Sequence, residues 1–106
     1  MFATAQEYYY FLKFEKGLAD NTIAAYSKDL DKLEQFLNGI HVDIEKAESQ
    51  HLIDFIVEIC SLGIHPRTQA RILSGIKSYY HFLIYKNKRD SDPTELIESP
   101  KIGLRL

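Results

Sequence analysis

Arg67, Arg71, Ser74, Ser78 and His81 follow one another at steps of three and four residues, the repeat of one helix face. Guanidinium groups near the start of such a helix can chelate guanine edges or phosphate oxygens, and serine hydroxyls can donate to phosphate. Small residues between them let the rod come close, and the helix N-terminus adds partial positive charge and free N–H groups. A weaker group lies earlier in the chain. Ala25, Lys28 and Lys32 share one flank of a helix, and Thr22 in its first turn can offer a hydroxyl and a backbone N–H to a phosphate. Asp29 and Asp31 nearby dilute the positive field there. The chemistry on offer is the binding of a polyanion; for either row the plainer alternative is a solvated face.

Covalent chemistry has less to work with. His41, His51, His65 and His81 show no paired spacing with acids or with Cys60 that would compose a metal site. There is no glycine-rich phosphate loop and no serine-centred elbow. Cys60 reads as a small buried hydrophobe four residues from Ile56, and Tyr10 as an exposed tyrosine on an early helix. Nothing brings together a nucleophile, a base and an oxyanion site, so the expectation is a non-enzymatic chain with no cofactor and no metal.

The charge distribution sharpens the polyanion reading. The net charge of −2 is an average. Up to Glu58 there are 11 acidic residues against 5 basic, whereas Ile59 to Arg89 holds six cations (Arg67, Arg71, Lys77, Lys86, Lys88, Arg89) and no acid. A polyanion responds to that local density, not to the mean.

The elements that must carry these residues all read as helices. Ala3 to Glu15 forms the first, rich in Tyr8, Tyr9, Phe11, Leu12 and Phe14, and Gly17 ends it. Asp20 or Asn21 caps the second, which runs to Asn38 before Gly39 with Ile23, Tyr26, Leu30, Leu33 and Leu37 in one stripe. After a loop from His41 to Ala47, a third helix starts at Glu48 or Ser49 and carries Leu52, Phe55, Ile56 and Ile59 towards Gly63. Pro66 opens the fourth, where its missing N–H costs nothing, and the helix reaches about Lys86 with Ile72, Leu73, Ile76, Tyr79, Tyr80 and Leu83 as its core side. A short turn follows Pro93 through Leu96 and Ile97, and Ser99 to Leu106 reads as linker. The fold class is all-α, a four-helix bundle with short connections, as residues 1–98, with 99–106 as the start of a linker. At 106 residues and 45% apolar content the chain fits one domain with a core. It shows no run of about 20 apolar residues for a membrane span and no secretory signal. One cysteine implies a reducing compartment.

Three blocks of residues resemble a family. Glu15-Lys16-Gly17-Leu18, Asn21-Thr22, Tyr26 and Asp29-Leu30 form the first. Gly63, Arg67-Thr68, Arg71, Leu73-Ser74, Ile76-Lys77-Ser78, Tyr79-Tyr80 and Phe82-Leu83 form the second, and Asp92-Pro93 with Leu96 through Lys101 the third. In this order and spacing they resemble the N-terminal core-binding domain of tyrosine recombinases and phage-type integrases, closest to the Xer type because the first helix starts almost at Met1, with a mobile-element integrase of similarly short N-terminus as the alternative. The resemblance implies an orthogonal, SAM-like helical bundle that lies over the major groove of a recombination half-site in double-stranded DNA. It implies contacts through Thr22, Ala25 and Lys28 on the second helix and Arg67, Thr68, Arg71 and Gly75 on the fourth, with Ser74 and Lys77 flanking them. It further implies other protomers as partners in a synaptic tetramer near the first helix and Tyr10, a bacterial cytoplasmic, nucleoid-associated setting, and a catalytic domain beyond this chain. Ile72, Lys77 and His81 stand where relatives often carry Arg, so the positive surface is thinner than the pattern. Gly75, mid-helix and about 1 kcal/mol worse than Ala there, is kept either for close approach to DNA or for a contact with another helix. The competing reading is a helical protein–protein module that docks its basic fourth helix on an acidic partner. A small helix-turn-helix repressor fits less well, since the loop from His41 to Ala47 is too long for the turn.

Overall fold

A computed structural model of the chain describes residues 4–97. The linker expected over 99–106, and residue 98 with it, lie outside the described residues. Four α-helices are present, with no strand among the described residues: α1 (Ala5–Tyr10), α2 (Asp20–Gly39), α3 (Ser49–Ser61) and α4 (Pro66–Tyr85). The all-α bundle expected from the periodicity is therefore what the chain forms.

The first helix departs from the expected single rod. After Tyr10 the backbone widens into a π-helical turn over Phe11–Glu15, where the Lys16 N–H reaches back five residues to the Phe11 carbonyl. The Leu18 N–H then bonds to the Leu12 carbonyl across Gly17, whose positive φ of 66° closes the end. Leu12 stays buried through this widening while Phe14 is turned out. The cap of α2 also differs: Ala19 holds that position without a side-chain bond, and Asp20 sits in the first turn, 3.6 Å from the Lys13 ammonium. Loop residues Ile44–Lys46 make one 3-10 turn, with Ile44 and Ala47 buried.

Two histidines explain helix starts rather than metal binding. His51 Nδ1 accepts the Glu48 backbone N–H at 2.9 Å at the start of α3, and His65 Nδ1 accepts the Arg67 N–H at 3.1 Å ahead of Pro66. Cys60 is not the buried hydrophobe expected. It is exposed, and its thiol donates to Gln69 Oε1 at 3.4 Å. The inward stripe of α3 is Leu52, Phe55, Ile56 and Ile59; one step beyond Ile59 the helix has turned Cys60 to the rim.

α4 runs through the middle of the assembly. Ile72, Leu73, Ile76, Tyr79, Tyr80, Phe82 and Leu83 are buried, with Leu30, Leu33 and Leu37 of α2, Leu52 and Phe55 of α3, and Tyr8 and Leu12 from the N-terminal segment. Three core tyrosines bring hydroxyls inside, and each hydroxyl is bonded. Tyr8 donates to Ser78 Oγ at 2.9 Å, Tyr80 to the Ile44 carbonyl at 2.6 Å, and Tyr79 shares a 2.6 Å bond with Thr4 Oγ1. Burial pushes all three phenols above their ordinary value, which favours the protonated hydroxyl. Gly75 is buried in α4 with its absent side chain facing Tyr26 of α2, where a Cβ would lie 3.3 Å from the ring. Glycine here gives Tyr26 of α2 a close seat against α4.

The turn expected after Pro93 is present and tethered. Asp92 Oδ1 accepts both the Thr94 N–H (2.8 Å) and its hydroxyl (2.6 Å), Asp92 Oδ2 lies 2.8 Å from His81 Nε2, and Ser49 donates to the Pro93 carbonyl at 2.7 Å. Partial burial works to raise the Asp92 pKa, but the Thr94 bonds and His81 outweigh it and hold the carboxyl below its ordinary value.

Two outcomes follow from these contacts. Tyr80→Phe, which strands the buried Ile44 carbonyl, lowers folding stability by about 1–2 kcal/mol in a denaturant titration. Because the folded Asp92 pKa is depressed, its contribution is complete above the ordinary carboxylate range and disappears as pH falls through the folded value. The protection of the Thr94 amide, relative to its intrinsic exchange rate at each pH, is therefore lost as pH falls below the ordinary carboxylate range, while the α4 core amides keep theirs.

Candidate nucleic-acid interface

The contact that organises the outer surface is an ion pair between α2 and α4. Arg71 Nε donates to Asp29 Oδ2 and Nη2 to Oδ1, both at 2.9 Å. The carboxylate side chain is 1% exposed and the guanidinium side chain 42%. A two-bond fork of this kind fixes the plane of the guanidinium as well as its position. The Asp29 hydrogen bond is the main cause holding the Arg71 pKa above its ordinary value.

Arg71, one of the two guanidinium groups expected to meet a polyanion, is thus engaged within the fold, and Asp29 does more than dilute a field. Helical spacing builds an edge around the pair. Arg67 and Ser74 lie one turn to either side of Arg71 on α4, and Ala25 and Lys32 one turn to either side of Asp29 on α2. Arg67, Ser74, Lys28 and Lys32 are exposed; Thr22, Ala25, Thr68 and Lys77 are partly buried; Gly75 alone of the expected site residues is fully turned inward, against Tyr26.

The remaining cations of the positive segment divide sharply. Arg89 is committed to the fold: its Nη1 donates to the Ala47 carbonyl at 2.9 Å and the Glu45 carbonyl at 3.3 Å, its Nε to the Ser91 carbonyl at 2.8 Å, and its guanidinium lies over the Tyr80 ring. Lys88 lies 3.7 Å from Glu7. His81, at the end of the expected row, faces Asp92. Ser78 accepts from Tyr8. Among the described residues no ion pair engages Arg67, Lys77, Lys28 or Lys32. Next to this edge, a groove of about 640 Å³ between the π-helical turn and α4 is lined by Lys16, Ser74, Lys77, Ser78 and His81, by the carboxylate-bearing Glu15, and by Phe11, Phe82 and Tyr85. No group of three or more His, Cys, Asp or Glu that could hold a metal occurs among the described residues, and no described helix is long and apolar enough to cross a membrane.

Asp29 is the residue that sequence reasoning undervalued. The signal was its position: an acid at the margin of the Tyr26–Leu30–Leu33 stripe is drawn partly into the core and requires a donor there.

The fold is that of a small all-α bundle, and the comparisons with known proteins specify its family. Residues 5–87 match the family of the phage integrase N-terminal SAM-like domain, and the chain belongs to that family. It is 33% identical over 102 residues to the tyrosine recombinase XerD of Staphylococcus aureus (strain Mu50 / ATCC 700699), an alignment covering 95% of this chain and 35% of that protein. The tyrosine recombinase XerD of Staphylococcus epidermidis (strain ATCC 35984) is 33% identical over 102 residues with the same coverage. The chain thus spans about a third of the length of these relatives. No solved structure matches.

The ion pair generates a contrast between two arginines. Arg71→Ala leaves the buried Asp29 carboxylate without its donors and destabilises the domain by about 2 kcal/mol, read as an earlier urea midpoint. Arg67→Ala leaves the midpoint within about 0.5 kcal/mol of the parent, since no fold contact depends on its guanidinium.

Proposed function

We propose that the chain is the duplex-DNA-binding module of a site-specific tyrosine recombinase or integrase. It lays the α2–α4 edge along the major groove of a half-site. Strand cleavage and rejoining is assigned to a catalytic domain outside these 106 residues, in keeping with a chain that spans about a third of the length of relatives named tyrosine recombinase. The observation that carries the reading is the set of Lys28, Lys32, Arg67 and Lys77, unpaired among the described residues on and beside an edge that also offers the Ser74 hydroxyl and the first turn of α4. Lysines and Arg67 supply phosphate contacts, Thr22 and Thr68 hydroxyl donors, and Ala25 a small surface for close approach. Gly75 serves the edge indirectly, by letting α2 and α4 close up at Tyr26.

Other protomers are proposed as partners when the whole protein assembles on DNA. Tyr10 and Phe14, stacked at 5.8 Å between ring centroids and 56% and 71% exposed, give α1 and its π-helical extension an aromatic surface suited to such a contact. A second reading, docking on an acidic protein, draws support from the internal use of Arg71, Lys88 and Arg89, which thins the positive surface.

Titration of the chain with duplex DNA at increasing salt separates the two. Four phosphate contacts give a log–log slope of roughly −3.5, and Arg67→Ala makes it shallower by about one while weakening all sequences alike. A flat salt response, or amide shifts that bypass Arg67 and Ser74 when duplex is added, overturns the DNA reading.

A further inference from the structure

We propose that Asp29 is a specificity-determining positioning residue: it holds Arg71 so that the guanidinium reads a base edge instead of swinging to the nearest phosphate. The inference rests on the DNA-binding reading above and goes further, because it assigns sequence discrimination to an acid that the field alone would count against binding.

The argument is one of donors. A guanidinium has five N–H bonds, presented as a side fork (Nε and Nη2) and an end fork (Nη1 and Nη2). Asp29 occupies the side fork with both carboxylate oxygens. The end fork, with its two parallel N–H bonds, is left intact on a side chain that is still 42% exposed. That end fork is the one that pairs with the O6 and N7 acceptors of guanine in the major groove.

A free arginine would collect phosphate contacts anywhere along a duplex, as Arg67 can. Arg71 is denied that freedom, since leaving its place would abandon a carboxylate that is 1% exposed. The pair also adds almost no net charge to the edge, so it contributes little to sequence-independent attraction. What remains to it is geometry. The position is rigid from both sides: Asp29 precedes the buried Leu30, and Arg71 is followed by the buried Ile72 and Leu73.

The test compares the 106-residue chain with Asp29→Asn and Arg71→Lys in selection from a pool of randomised 30-base-pair duplexes, with thermal melts recorded for each. Asn keeps the size of Asp29 but loses the charge-assisted fork; Lys keeps the ion pair but has no second fork to present. The parent enriches a motif containing a guanine position. In both variants that position loses about tenfold or more in discrimination, while affinity for unselected duplex holds or rises for Asp29→Asn because a negative charge has gone. A purely structural role would instead lower selected and unselected affinity together, in step with the melting temperature. If either folded variant returns the parent motif unchanged, or if the parent binds duplex without any motif, the proposal is overturned. Should the parent bind no duplex at all, the DNA-binding reading itself falls, and this assignment with it.

Discussion

A carboxylate sealed between two helices sets the form of this molecule's outer surface. Asp29 is almost wholly removed from water, and an ionised acid in that position is tolerable only with strong donors in fixed geometry. Arg71 supplies them as a two-bond fork. Once that bond is made, the flank of α2 and the flank of α4 are locked edge to edge, and Gly75 lets the Tyr26 ring close the gap beside it. The α2–α4 edge is thereby joined across the two helices and is not a set of independent side chains.

The positive segment illustrates how charge is partitioned between contacts inside the fold and side chains left unpaired among the described residues. Its cations all fall in one stretch of sequence, yet the fold spends them differently. Arg89 satisfies carbonyls of the α2–α3 connection and covers Tyr80; Lys88 reaches Glu7 across the N-terminal helix. Arg67 is exposed and Lys77 partly so, and neither is engaged by an ion pair among the described residues. Membership in the phage integrase N-terminal SAM-like family fits a surface of this economy, in which a few unpaired cations border a hydroxyl-bearing edge.

Polar side chains inside the bundle obey the same rule as Asp29. The buried tyrosines bring hydroxyls to Ser78, Thr4 and the Ile44 carbonyl, and these bonds fasten α4 to the N-terminal segment and to the loop before α3. The C-terminal turn is held by Asp92 through Thr94 and His81, so the row of polar residues along α4 ends in a structural clasp. Neighbouring positions along one helix face therefore divide between exposed side chains such as Arg67 and Ser74 and side chains, Ser78 and His81, that are tied into the fold.

Periodicity alone determined the number of helices, their order and their inward faces, because apolar residues at three- and four-residue steps admit only one burial pattern. Pro66, Gly17 and Gly63 marked ends for equally local reasons. Several particulars were settled only by packing. The π-helical turn at Phe11, the exposure of Cys60, the inward use of Gly75 and the pairing of Arg71 with an acid 42 residues away all depend on which helix lies alongside which. A sequence shows the face on which a charge sits, but the neighbour that neutralises it comes from another part of the chain, and only the closed bundle brings the two within bonding distance.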